Sequence, residues 1–173
     1  MYDDQELITL RGQLSSFFKI RVIILDPIEI PHRFRDSLMD RYSADSLAKF
    51  LSRFLNDTVV HVVGLTHQMM YTIEEKIIEE NNKRTTRKSP KVIFGLGLVS
   101  GPTSIISDYR LMSTDRELYN NRLRKVIIHE IGHNLGLMHC SSTTCLMSET
   151  NGDLFNLNKV GGDFCIVCRK KLD

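Results

Sequence analysis

Apolar and polar positions along the chain alternate between a period of two and a period of three to four, and the changes of period set the expected elements. Residues 18–26 (FKIRVIILD) place Ile20, Val22 and Ile24 on one face, which predicts a strand stopped by Pro27, with residues 26–31 as a loop. Residues 43–55 carry Leu47, Phe50, Leu51 and Phe54 at helical spacing behind the capping candidates Ser43 and Asp45, an amphipathic helix that should pack on a sheet. Residues 59–65 (VVHVVGL) are nearly continuous in apolar character, as expected of a strand buried on both faces. Residues 91–99 (KVIFGLGLV) predict a third strand. Between them, in residues 66–90, Ile73, Ile77 and Ile78 suggest a short helix, followed by a polar run over residues 79–88 that predicts a mobile surface loop. Residues 103–109 (TSIISDY, Thr103 to Tyr109) follow the turn signal Gly101-Pro102 and predict a fourth strand at a sheet edge. The longest helical pattern, over residues 114–137, uses Leu118, Leu123, Val126, Ile127, Ile131 and Leu135, with Gly136 as its stop. Strands alternating with helices, then a helix-and-loop half, indicate an α/β sandwich.

Composition narrows the class. At 173 residues, 42% hydrophobic and 25% charged, the chain is expected to form a single globular domain. An upper half over about residues 1–136 would be completed by a lower half over about 137–173. Lys and Arg number 23 against 21 Asp and Glu, so no net field favours nucleic acid or anionic membranes. The basic stretch of residues 82–88 has no interleaved aromatics and reads as a solvated loop. The acidic start of the chain lacks the regions of a signal peptide, and no apolar run approaches the about 20 residues of a membrane span. The expectation is a cytoplasmic protein, a monomer with no membrane partner.

The chemistry is concentrated near the end of the long helix. His129-Glu130-x-x-His133 puts two imidazoles one turn apart on one face, with Glu130 rotated roughly 100° away, free to address a metal-bound water. His139 lies six residues beyond His133, and Gly136 allows the chain to reverse and return a third nitrogen. Three histidines leave the fourth position of a tetrahedral zinc open, the arrangement of a catalytic site in which Glu130 would serve as general base towards a zinc-activated water. Met147 follows in a segment expected to turn back beneath the metal, where a methionine offers a soft floor. His32, His61 and His67 stand alone in loops or a strand and are excluded as ligands.

All four cysteines, Cys140, Cys145, Cys165 and Cys168, fall in the last 34 residues in two close pairs. That spacing suits a tetrahedral structural zinc, giving two zinc ions per chain, one catalytic and one structural.

Taken together, His129-Glu130-x-x-His133-x-x-Gly136-x-x-His139-Cys140, Cys145-x-Met147 and Cys165-x-x-Cys168 resemble the archaemetzincin signature at every specified position. Residues 92–98 and 107–111 are also similar to segments upstream of the helix in that family. The resemblance implies a compact metzincin-like fold, with a mixed, mostly parallel sheet and one antiparallel edge strand above the zinc helix, a Met-turn, and a zinc-stapled C-terminal segment. It implies a zinc-dependent metallopeptidase, endo- or aminopeptidase-like, that binds an extended peptide along the edge strand, here residues 103–109. The chain departs from the family pattern in having Thr66-His67-Gln68-Met69-Met70 where an acidic stretch is usual, and in the length of residues 66–90. From a different class, the competing expectation is a zinc-stabilised peptide- or protein-binding module with negligible turnover.

Overall fold

In the computed structural model, residues 2–80 and 83–172 are described. The chain divides into two compact units, residues 1–31 and 32–173.

The first unit is a helix, α1 (Asp4–Phe18), followed by irregular chain. Asp3 caps it by accepting from the Gln5 and Glu6 amides, and Lys19, at φ 57°, ends it in the left-handed region. The strand expected over residues 18–26 is therefore corrected. Phe18 completes the helix, and residues 19–31 join no ladder among the described residues, leaving Ile20, Ile24 and Leu25 about half exposed. Alternation supplies the faces of a strand, but only a hydrogen-bonded neighbour makes one. The helix itself was legible, since Asp3 with Glu6 three residues on, before Leu7, Leu10 and Leu14, is an N-terminal signature.

The second unit contains β1 (Arg35–Asp36), β2 (Arg41–Ser43), α2 (Ala44–Leu51), β3 (Val62–Thr66), β4 (Met70–Glu80), β5 (Lys83–Ile93), β6 (Gly95–Gly97), β7 (Thr103–Ser107), α3 (Arg116–Asn134), α4 (Leu154–Lys159) and α5 (Ile166–Arg169). Its strands form two mixed sheets, ordered β1-β2-β4-β5 and β3-β7-β6. In the first, β2 runs parallel to β4 while β1 and β5 are antiparallel to their neighbours. In the second, β3 is parallel and β6 antiparallel to β7.

The helix expected over residues 43–55 is α2, capped by Ser43, whose Oγ accepts from the Ser46 amide. Asp45 lies inside the first turn, where its Oδ2 accepts from Thr72 Oγ1 and ties the helix to β4. The helix α2 packs on β7, and Leu51 shares a face of the sheet with Gly64 and Ile105. On the other face Ser104 donates to Asn134 of α3, so the sheet is covered by α2 on one side and α3 on the other. This double cover explains why every residue of β7 is buried.

Two expectations change here. Residues 66–90 hold neither a short helix nor an irregular loop; they form most of a long antiparallel hairpin, with Met70 opposite Ile93 and Glu79 opposite Arg84. Residues 81–82, between the two strands of this hairpin, lie outside the described residues. Its physical basis is charge and shape: β4 is acidic and β5 basic, so Glu75 meets Lys88 at 2.5 Å and Glu74 meets Lys91 at 3.0 Å, among β-branched Thr and Ile. The second change concerns the edge. Residues 103–107 form the centre of their sheet, because the apolar run of residues 91–99 breaks at Phe94 and its second half folds back as β6. Phe94 O accepts from the Ser107 amide at the break. Both sides of β7 are occupied, so the peptide-binding edge expected at Thr103 to Tyr109 is not available there. The antiparallel edge strand is Gly95–Gly97.

Candidate metal centres and active site

The helix α3 starts at Asp115, whose side chain accepts from the Leu118 amide, and ends two residues before Gly136. Its last turn closes with the Leu137 amide donating to Gly132 O and the Gly136 amide to His133 O, a pair of bonds that needs Gly136 at φ 89°. The chain thereby reverses and returns His139. The imidazole centroids of His129, His133 and His139 converge to 4.8–5.4 Å of one another. One ring nitrogen from each lies within 4.8 Å of the others.

Two of these rings are fixed by main-chain oxygens. His129 Nδ1 donates to Leu146 O and His133 Nδ1 to Leu137 O, each at 2.7 Å. A carbonyl can only accept, so both rings carry their proton on Nδ1 and present a lone pair on Nε2. Those two Nε2 atoms face each other at 3.1 Å. Two lone pairs at that separation repel unless a cation lies between them, and nitrogens bound tetrahedrally to zinc at about 2.0–2.1 Å stand about 3.3 Å apart. The donor set fits a zinc. Burial lowers the pKa of all three histidines, which favours the neutral, ligating form.

Glu130 lies in the seam between α3 and β6, close enough to His133 to feel its charge. Its Oε2 accepts from the Gly97 amide at 2.7 Å. Burial pushes its carboxyl up to about 7, against the opposing pull of His133 and the Gly97 amide. The seam is this close because β6 carries two glycines. A Cβ at Gly95 would meet the Glu130 side chain at 2.7–3.0 Å, and one at Gly97 would overlap the Glu130 carbonyl. Below the helix, Met147 is fully buried, and a Cβ at Gly132 would strike its Sδ. The Leu146 carbonyl just before it holds His129, and the Met147 carbonyl accepts from the Cys140 amide. The methionine segment thus supports the histidines from beneath.

The four cysteines come together from three stretches of chain. Sγ of Cys140 lies 3.8 Å from that of Cys165, and Cys145 3.7 Å from Cys168. Thiolates on a tetrahedral zinc at about 2.3 Å are about 3.8 Å apart, far longer than a disulfide. The amides of Met147 and Cys165 donate to Cys145 Sγ, an arrangement suited to a thiolate. Burial pushes the Cys145 and Cys168 thiols up, while the Cys168 amide lowers Cys165 to about 7. Among the described residues these two clusters are the groups able to hold a metal, and neither includes His32, His61 or His67.

Comparison with known proteins agrees with this geometry. Residues 37–173 match the model of peptidase family M54. This chain is a member of that family. It is 36% identical over 163 residues to the archaemetzincin of Archaeoglobus fulgidus, covering 94% of this chain and 88% of the relative. It superposes on a crystal structure of archaemetzincin from the same organism with a TM-score of 0.77 at 25% identity, covering 98% and 94% of the chains. A Methanopyrus kandleri archaemetzincin structure shares the fold at a TM-score of 0.79 and 24% identity, over 97% of this chain and 84% of that one. As a family member the chain is a zinc metallopeptidase, with the mixed α/β fold of the archaemetzincins and peptide as its class of substrate. No helix among the described residues is long and apolar enough to cross a membrane.

Several residues that build the site were not singled out from the sequence. Asn134 Nδ2 donates to Leu98 O and Thr103 O, and so docks the metal-binding end of α3 onto the β6–β7 connection. Gly95 and Gly97 were visible as glycines inside a strand pattern, which mark close approach of another backbone. His67, read as a loop residue, meets the fully buried Asp108 at 2.9 Å, and Tyr119 donates to the same carboxylate at 2.7 Å. That network joins the ends of β3 and β7 to the start of α3.

Proposed function

We propose that the chain hydrolyses peptide bonds at the histidine cluster, with Glu130 as general base and His129, His133 and His139 holding the catalytic zinc. Cys140, Cys145, Cys165 and Cys168 hold a second, structural zinc in this reading. The observation that carries it is the pairing of convergent Nε2 lone pairs with an adjacent carboxylate already anchored by the Gly97 amide. A zinc ion bound there supplies Lewis-acid polarisation of the scissile carbonyl and of water. The protein supplies proton transfer. Glu130, held through Oε2 and raised towards neutrality by burial, takes a proton from water through its other oxygen and returns it to the departing amine. An extended substrate would lie along the outer edge of β6, above the helix, pairing with its main-chain groups other than the Gly97 amide that Glu130 holds. Four cysteines at thiolate-to-zinc spacing suit a reducing, cytoplasmic compartment.

Digestion of a peptide library by the wild type and Glu130→Gln tests this directly. The variant should lose about 10²–10⁴ in rate while keeping its zinc content. Equal rates, or no turnover by a zinc-replete wild type, would leave a peptide-binding module as the better description. N-acetylated and free-amine libraries in the same assay separate an endopeptidase from an aminopeptidase.

A further inference from the structure

The Nδ1 atoms of His129 and His133 face carbonyl oxygens, whereas the oxygen facing Nδ1 of His139 is a carboxylate. Glu149 Oε2 lies 3.7 Å from it, with both side chains about half exposed. The placement follows from the turn around Met147. The Cys140 amide donates to Met147 O, and Cys140 and Ser148 form a bridge, which brings the next residue alongside the third histidine.

We propose that Glu149 is a positioning residue for His139, and this rests on the reading that the three histidines hold zinc. Histidine ligands commonly give their second N–H to a carboxylate or carbonyl, which fixes the ring and makes the ligating nitrogen more basic. Two of the three ligands here use carbonyls on the reversing helix end and the methionine turn. His139 stands beyond the helix, and Glu149 supplies the equivalent contact. At 3.7 Å Glu149 Oε2 lies just beyond direct hydrogen-bond distance of His139 Nδ1, a separation that one bridging water spans. Glu149 thereby orients the third imidazole and sets a carboxylate beside the histidine cluster.

The test uses the full-length chain and measures zinc affinity of the histidine site by chelator competition, with the cysteine site still loaded. Cobalt(II) absorption in the same site reports ligand geometry independently of turnover. Glu149→Ala should weaken zinc binding about 10–100-fold and shift the cobalt spectrum. Glu149→Gln, which keeps an accepting oxygen but no charge, should fall between Ala and wild type, and Glu149→Asp should recover part of the loss. Affinities of Ala and Gln within twofold of wild type would overturn the proposal. A His139→Ala control separates the two levels of failure. If it weakens binding and Glu149→Ala does not, only the role of Glu149 is wrong; if it also leaves affinity unchanged, the histidine site itself is misread.

Discussion

The histidine and cysteine clusters adjoin in sequence at His139 and Cys140 and are built on opposite principles. The histidine cluster is borne on secondary structure: two of its histidines lie on a 19-residue helix, their rings are fixed by main-chain carbonyls, and the adjacent glutamate is seated against a strand. The cysteine cluster has almost none of this support. Its thiols come from irregular chain at Cys140 and Cys145 and from the cap and body of the four-residue helix α5, and the segment around them is largely irregular. A site built on a helix and sheet keeps its shape whether or not a metal is bound; a site built on loops takes its shape from the metal. A catalytic position needs the first kind, because its geometry must persist while substrate and product exchange.

The contrast can be broken most forcefully at the cysteines. Cys145→Ser should release the structural metal, lower the thermal midpoint by many degrees and raise amide exchange across residues 140–172, while α3 keeps its helical signal. Equal loss of protection in α3 would show that the helix depends on the staple as much as the loops do. Chelation of the wild type should give the matching order, with activity lost first and the C-terminal segment unfolding only on removal of the second metal.

The next effect concerns the seam beneath Glu130. Gly97→Ala places a methyl group against the Glu130 backbone, which should cost about 1–3 kcal/mol and reduce turnover well beyond the loss of stability. An active Gly97→Ala enzyme would mean that the α3–β6 contact does not position the base. Gly136→Ala, at φ 89°, should cost about 1–2 kcal/mol and weaken zinc binding through displacement of His139, measured by denaturant melts and chelator competition. The smallest effect belongs to the hairpin. Lys88→Ala removes an exposed pair with Glu75, and should change stability by less than about 1 kcal/mol with no change in turnover.

How much of this was legible in the sequence differs by element. The helix α3 and the convergence of its histidines with His139 could be read because helical spacing, the glycine stop and the chemistry of imidazole are local properties. The helix α2 and its Ser43 cap were legible for the same reason. The hairpin of residues 70–93 was not, because Ile73, Ile77 and Ile78 fit either period; what decided it was the pairing of an acidic strand with a basic one across the turn. Residues 18–26 failed in the opposite sense, with the alternation of a strand and no ladder to join.

The sequence alone determined which atoms could bind metal and that Glu130 would stand beside them, since both follow from residue type and helical pitch. Only the tertiary structure decided that Gly97 seats Glu130, that Glu149 faces His139, and that Gly95–Gly97, not Thr103–Ser107, is the antiparallel edge strand. These depend on which main-chain and side-chain groups meet after distant segments pack, and no local pattern encodes the packing partner.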